Sequence, residues 1–221
     1  MKRLAWFLAA LILTPLALAE APALPAPSQT NPQEAMPIPV RIETRGVELG
    51  QLLEGAGWVH KGSGRVPVYA VGFRSCQDCI AQKMEAGEAM ETAGADLRFI
   101  VYARGDGENG KPRSKPGERA MVAELWKYRD YNLYRAWYAT DPDSYYATED
   151  LPPSADSDPQ RMAYVEKSRA FVEALSGILR DNGVELYVPA LFWRENGVWM
   201  VYVGYNPATF KDLVVSRFAR L

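Results

Sequence analysis

Cys76 and Cys79 are the only two cysteines in 221 residues, and they stand three apart. That count and spacing narrow the chemistry. A bridge that stabilises a chain does so mainly by closing a long loop. A bridge between residues i and i+3 closes almost none, so it is a poor staple. Zinc in a structural site takes four Cys or His ligands, and besides this pair the chain offers only His60. His60, beside Lys61 in a glycine-rich stretch, reads as a solvated loop residue. Reversible dithiol chemistry is what remains. Cys-x-x-Cys also occurs in zinc sites and inert bridges, so the setting of the pair has to decide.

The setting is a strand that turns into a helix. Val66–Phe73 is a short apolar, β-branched and aromatic run that reads as a buried strand. Residues 80–92, after the pair, have helical composition, and Gly94 is a stop signal. A helix N-terminus offers free N–H groups and partial positive charge, which favour a thiolate. Spacing of three puts both sulfurs on one side of the first turn. Cys76, expected to be exposed at the helix start, is therefore assigned as the attacking nucleophile. Cys79, one turn in, is the resolving thiol that releases a mixed disulfide.

The elements around this junction follow from composition and period. Leu97–Ala103 is a second buried strand, giving a βαβ unit with parallel strands and a right-handed crossover. Residues 104–117 are a polar, glycine-rich loop. A long helix is expected over Glu118–Ala139, its tyrosines (Tyr128, Tyr131, Tyr134, Tyr138) being packing residues, and a second over Pro159–Arg180. Between them, 141–158 is a Pro/Ser/Asp-rich loop. Leu186–Trp193 and Val198–Val203 flank Asn196-Gly197, a strong hairpin signal. Asn206 and Pro207 then cap and begin a closing helix to Arg220. The order is β-α-β, a helical insertion at about 104–183, then β-β-α.

The N-terminal region points to export. Lys2 and Arg3 precede the apolar run Leu4–Leu13, and Ala17-Leu18-Ala19 has the small-x-small pattern of a cleavage site. The run is shorter than the roughly 20 residues a membrane span needs. Residues 1–19 are therefore expected to be a signal peptide, and the mature protein not to span a membrane. Residues 20–39 carry Pro22, Pro25, Pro27, Pro32, Pro37 and Pro39 and read as an extended tether. In residues 40–65, Val40–Glu43 reads as a short edge strand and Val47–Leu53 as a short helix, with ordered structure beginning in earnest at Val66. The net charge of −2 argues against an electrostatic nucleic-acid binder.

From about Val66 to Leu221 the chain resembles the catalytic domain of the periplasmic DsbC/DsbG disulfide isomerases, within the thioredoxin fold. Four stretches carry the resemblance: the strand followed by Cys76-Gln-Asp-Cys79 and a helix; Glu124–Asp130 inside a helical insertion; Val188-Pro189-Ala190; and Asn196-Gly197 through Gly204-Tyr205-Asn206-Pro207 into the last helix. It implies an α/β, thioredoxin-like fold with a central mixed sheet. It also implies that Pro189 is cis and lies against the Cys76 sulfur, while Val188 presents backbone groups to a substrate strand.

Two departures qualify the resemblance. Residues 20–65 are too few for the dimerisation domain that those isomerases carry, so a monomer is expected. Asp78, within the first helical turn, raises the Cys76 pKa against the helix-end effect, and Arg74 offsets it only if its side chain folds back. A moderate potential is expected, nearer roughly −180 to −270 mV than the ~−120 mV of DsbA. The leading functional reading is a periplasmic thiol–disulfide oxidoreductase acting on exported proteins. It needs no cofactor beyond the Cys76–Cys79 disulfide and no metal, and exchanges electrons with a membrane or envelope partner. The alternative is a non-catalytic thioredoxin-like chaperone or assembly factor of an envelope, conjugation or secretion system. A third, metal carriage by two thiolates, needs ligands from a second molecule.

Overall fold

The computed structural model describes residues 38–62, 64–140 and 155–221. The expected signal peptide, nearly all of the expected tether and most of the 141–158 loop lie outside the described residues. Among the described residues six strands form one mixed sheet in the order β1-β6-β5-β3-β4-β2. At its centre β3 (Val66–Gly72) runs parallel to β4 (Ala95–Val101), joined by helix α2 (Gln77–Thr92). On the other side β3 pairs antiparallel with β5 (Ala190–Glu195), which forms a hairpin with β6 (Val198–Val203). Asn196 (φ 51°) and Gly197 (φ 80°) make the hairpin turn, both at the positive φ that a type I′ turn requires.

The central strands are apolar on both faces because both faces are covered. Alternation along β5 sends Leu191 and Trp193 to one side and Ala190 and Phe192 to the other. The first side packs on α2 and the closing helical segment through Met90, Phe210, Val214 and Phe218. The second packs on α1 (Gly46–Gly55) and α5 (Pro159–Asp181) through Leu49, Leu53, Phe171 and Leu175. A third cluster lies beneath the insertion. Met121, Val122 and Leu125 of α3 (Pro116–Tyr128) meet Tyr134 and Trp137 of α4 (Tyr131–Ala139) and Val101 of β4. The chain thus has the β-α-β, helical insertion, β-β-α order of a thioredoxin-like α/β fold.

Five local expectations are corrected. Order begins before Val66: β1 (Val40–Arg41) pairs with β6, β2 (Val59–His60) pairs with β4, and α1 lies between them. Residues 40–60 therefore close both edges of the sheet: β1 and α1 fall where a short edge strand (Val40–Glu43) and a short helix (Val47–Leu53) are expected, while β2, only two residues long, carries no period to read. His60 is not a solvated loop residue. It sits in β2, half-buried, with Nδ1 3.0 Å from the Asp96 carboxylate.

The single helix expected over Glu118–Ala139 is two. Arg129 takes a left-handed conformation (φ 53°), and the Asp130 carboxylate caps α4 by accepting the Asn132 and Leu133 N–H groups. The strand expected from Leu186 begins only at Ala190, since Pro189 has no N–H to give the ladder. The closing helix is α6 (Pro207–Phe210), a π-helical turn (Lys211–Val215) and α7 (Ser216–Phe218). Of the four insertion tyrosines, Tyr134 is buried and packs on Phe99 and Tyr138, while Tyr128 is exposed.

Burial raises the phenols of Tyr102 and Tyr205 to about 12, and those of Tyr69, Tyr134 and Tyr138 upward too. An unfolded chain releases these protons near pH ~10 while the folded chain keeps them. The folded state then binds more protons than the unfolded one, and stability falls as pH rises. Denaturant midpoints should hold up to about pH 10 and drop between about 10 and 12.

Candidate functional site

The site is made where β3 ends. The Cys76 N–H donates to the Phe73 carbonyl (3.2 Å), closing a turn that brings Cys76 to the N-cap of α2. Cys76 Sγ accepts the Cys79 N–H at 3.1 Å, and the Cys76 carbonyl takes the first helical bond, from Ile80 (3.1 Å). The N-cap task usually performed by a hydroxyl or carboxylate oxygen is thus done here by sulfur. Cys76 and Cys79 are joined by a disulfide with their Cα atoms 5.2 Å apart. Behind it Gly72 leaves room for the bridge: a Cβ there would lie 2.8 Å from Cys79 Sγ.

The facing wall is the loop before β5. The Val188–Pro189 peptide bond is cis, and the Val188 carbonyl oxygen lies 3.7 Å from Cys76 Sγ. The loop is held from behind by the Gly204 N–H, which donates to the Pro189 carbonyl at 2.8 Å. Gly204 has φ 83°, a conformation glycine adopts without strain, so this anchor depends on its being glycine. The structure therefore brings Cys76, Cys79, Val188 and Pro189 together. It differs in exposure: Cys76 is only 6% exposed, while Cys79 is half-buried. At the N-cap, Cys76 is walled by its own turn and by the Val188 loop.

The two residues singled out as modifiers of the cysteines differ in burial. Asp78 is exposed in the first turn of α2. Arg74, 4% exposed, turns to the insertion, where Nη2 donates to the Thr140 carbonyl at 2.6 Å and its guanidinium lies 4.8 Å from the Tyr138 ring centre. Three further residues were missed. Arg104 stacks on Phe73 (4.6 Å) and donates to Ser75 Oγ (3.1 Å), bracing the residue before Cys76. Gln82 and Lys83 line a cavity of about 30 Å³ together with Gly72, Cys79, Tyr138 and Pro189. Lys83 Nζ lies 4.4 Å and 4.3 Å from the ring centres of Tyr134 and Tyr138. Burial, then the nearby Arg74 charge, lowers its pKa to about 8. A lysine four residues after a cysteine on one helix was a legible signal; the aromatic cover from α4 was not.

Among the described residues no group of three or more His, Cys, Asp or Glu is placed to hold a metal ion, and no helix is long and apolar enough to cross a membrane. Sheet order, a dithiol at a strand-to-helix junction and a cis-proline facing it together define a thioredoxin-like fold. No protein-family model matches the chain, and no curated protein matches it.

Solved structures similar to it include a periplasmic thioredoxin-like protein from Salmonella enterica serovar Typhimurium. That match has 12% identity over 78% of this chain and 97% of that one, with a TM-score of 0.47. ScsC of Proteus mirabilis in a compact conformation matches at 12% identity over 82% of each chain, with a TM-score of 0.49. The thiol-disulfide exchange protein alpha-DsbA2 from Wolbachia pipientis matches at 15% identity over 77% of this chain and 92% of that one, with a TM-score of 0.41.

Replacing Gly72 by Ala places a methyl group against the bridge. The oxidised protein should lose about 1–3 kcal/mol, read from denaturant unfolding. The reduced protein should lose less, because an unbridged Cys79 sulfur can rotate away.

Proposed function

We propose that the protein is an exported thiol–disulfide oxidoreductase that exchanges disulfides with envelope proteins through Cys76 and Cys79. The observation that carries this is the bridge at the N-terminus of α2 facing the Val188–Pro189 loop. In the reduced protein the Cys79 N–H that contacts Cys76 Sγ favours a Cys76 thiolate. That thiolate attacks one sulfur of a client disulfide. A Cys76–client bond forms, and the client's other sulfur leaves with the electron pair. Cys79 then attacks Cys76 Sγ, closing the Cys76–Cys79 bridge and releasing the second client thiolate. Run backwards, the same steps oxidise a client dithiol. Val188 offers its backbone to an extended client segment and Pro189 keeps that edge open beside the sulfur.

The catalytic turnover uses no metal or bound cofactor, and electrons pass to or from a membrane or envelope partner. Export rests on the basic start and apolar run of residues 1–19. A monomer is the expected working form, because residues 40–60 are used within the sheet of their own chain. Among disulfide-exchange proteins we place it nearest DsbC/DsbG in its motifs, with a potential of roughly −180 to −270 mV.

One observation favours a second reading. Cys76 at 6% exposure has little surface to offer a client, which suits a thioredoxin-like chaperone or assembly factor whose bridge is structural. The two readings part on simple variants. Under the first, the wild type accelerates insulin reduction by dithiothreitol, Cys76→Ser abolishes this, and Cys79→Ser accumulates mixed disulfides with envelope proteins in cells. Full biological function in a Cys76→Ser strain would establish the second.

The exposed Asp78 carboxylate opposes the helix-end stabilisation of the Cys76 thiolate. Asp78→Asn should therefore make the bridge more oxidising, measured by equilibration with glutathione. An unchanged or more reducing couple would remove Asp78 from this role.

A further inference from the structure

Resolution of a mixed disulfide requires the half-buried Cys79 to lose its proton, and the exchange steps above supply no base. We propose that Lys83 is that base: its neutral amine takes the Cys79 proton through the small cavity that both residues line. This rests on the oxidoreductase reading and adds a residue to it.

Residues 79 and 83 share one face of α2, one turn apart. Both line the 30 Å³ cavity, whereas Cys76 does not. A cavity of that size has room for a water molecule, provided polar groups hold it. Gln82 supplies one. It is 4% exposed, it lines the same cavity, and its Nε2 has no hydrogen-bond partner among the described residues. Buried amide donors are normally satisfied, so this donor calls for a polar partner, which a water in the cavity it lines would supply.

The surroundings of Lys83 favour an amine that gains and loses a proton near neutrality. Arg74 faces it from the β3–α2 turn, Tyr134 and Tyr138 from α4, and Phe99 from β4. Glu118 of α3 acts on Tyr138 from behind. No carboxylate forms a salt bridge with Lys83 among the described residues. The ring faces attract its cation, while burial and the Arg74 charge disfavour it. Both phenols are held protonated through the neutral range. The amine, lowered to about 8, is neutral in a fraction of molecules near neutral pH and can then accept a proton.

In the Cys76–client mixed disulfide, the Cys79 thiol gives its proton by way of the cavity water to the neutral Lys83 amine, leaving a thiolate and an ammonium. The thiolate attacks Cys76 Sγ. The Cys76–Cys79 bond forms, the Cys76–client bond breaks, and the client sulfur leaves as a thiolate that takes a proton from solvent. The dithiol is oxidised by two electrons and the client disulfide reduced by two. In the reverse direction the Lys83 ammonium returns its proton to Cys79 as the bridge opens.

The test is the pH profile of resolution, with a glutathione mixed disulfide formed at Cys76 and release of glutathione as the readout. Lys83→Met should resolve about tenfold more slowly at neutral pH, equivalent to a rise of about one unit in the apparent pKa of Cys79. The gap should close at alkaline pH, where hydroxide serves instead. Lys83→Arg keeps the charge and the stem but cannot give up its proton. It should be slow as well, and it decides the matter alone if Lys83→Met does not fold. Lys83→Met profiles that overlay the wild type, a defect equal at every pH, or full rescue by Lys83→Arg would each overturn the proposal. Failure of wild-type Cys76 to form the mixed disulfide would instead overturn the oxidoreductase reading itself.

Discussion

The arrangement depends on one constraint: Cys76 must end a strand and cap a helix at the same time. Its backbone closes the turn from Phe73, and its sulfur takes the Cys79 N–H that would otherwise be unpaired at the helix start. A helix N-terminus leaves its first N–H groups without partners and carries partial positive charge. Sulfur satisfies that need in either redox state, and better as a thiolate. The Cys76–Cys79 pair is thus tied to the end of β3, in the middle of a sheet whose two faces are both packed. Little in the scaffold can move the junction without breaking parallel β3–β4 pairing or the α2 contact.

The insertion does more than decorate this frame. Its helix α4 brings the Tyr138 ring centre to 4.8 Å from Arg74 and 4.3 Å from Lys83. Arg74 also hydrogen-bonds the Thr140 carbonyl at the end of α4. The charges beside the dithiol are therefore set by how α4 docks. An arginine two residues before Cys76 holds the insertion, and a lysine on the helix lines the cavity beside Cys79.

The short N-terminal elements have an equally physical role. Strand edges present unpaired N–H and C=O groups and invite association. β1 and β2 each cap one edge of the sheet, and α1 between them fills the core with Leu49 and Leu53. The chain uses this segment on itself, on the two strands where a thioredoxin-like sheet would otherwise be open.

The chain's letters alone determined the dithiol, its place between a strand and a helix, the Asn196-Gly197 hairpin, the long helix from Pro159 and the β-α-β, insertion, β-β-α order. Each is a local matter of spacing, period or turn chemistry. The Val188-Pro189 loop came from resemblance, and the structure places it beside Cys76 with a cis bond. What tertiary structure decided is everything that depends on approach between distant segments. A two-residue strand such as β2 has too little pattern to be read and forms only because an edge awaits it. The break at Arg129–Asp130 is set by where Tyr134 and Trp137 must pack. The burial of Cys76, the turning of Arg74 away to α4 and the enclosure of Lys83 by aromatic rings all arise from contacts between residues far apart in the chain. A period along the chain reports which face is apolar; it carries no information on which surface will cover that face.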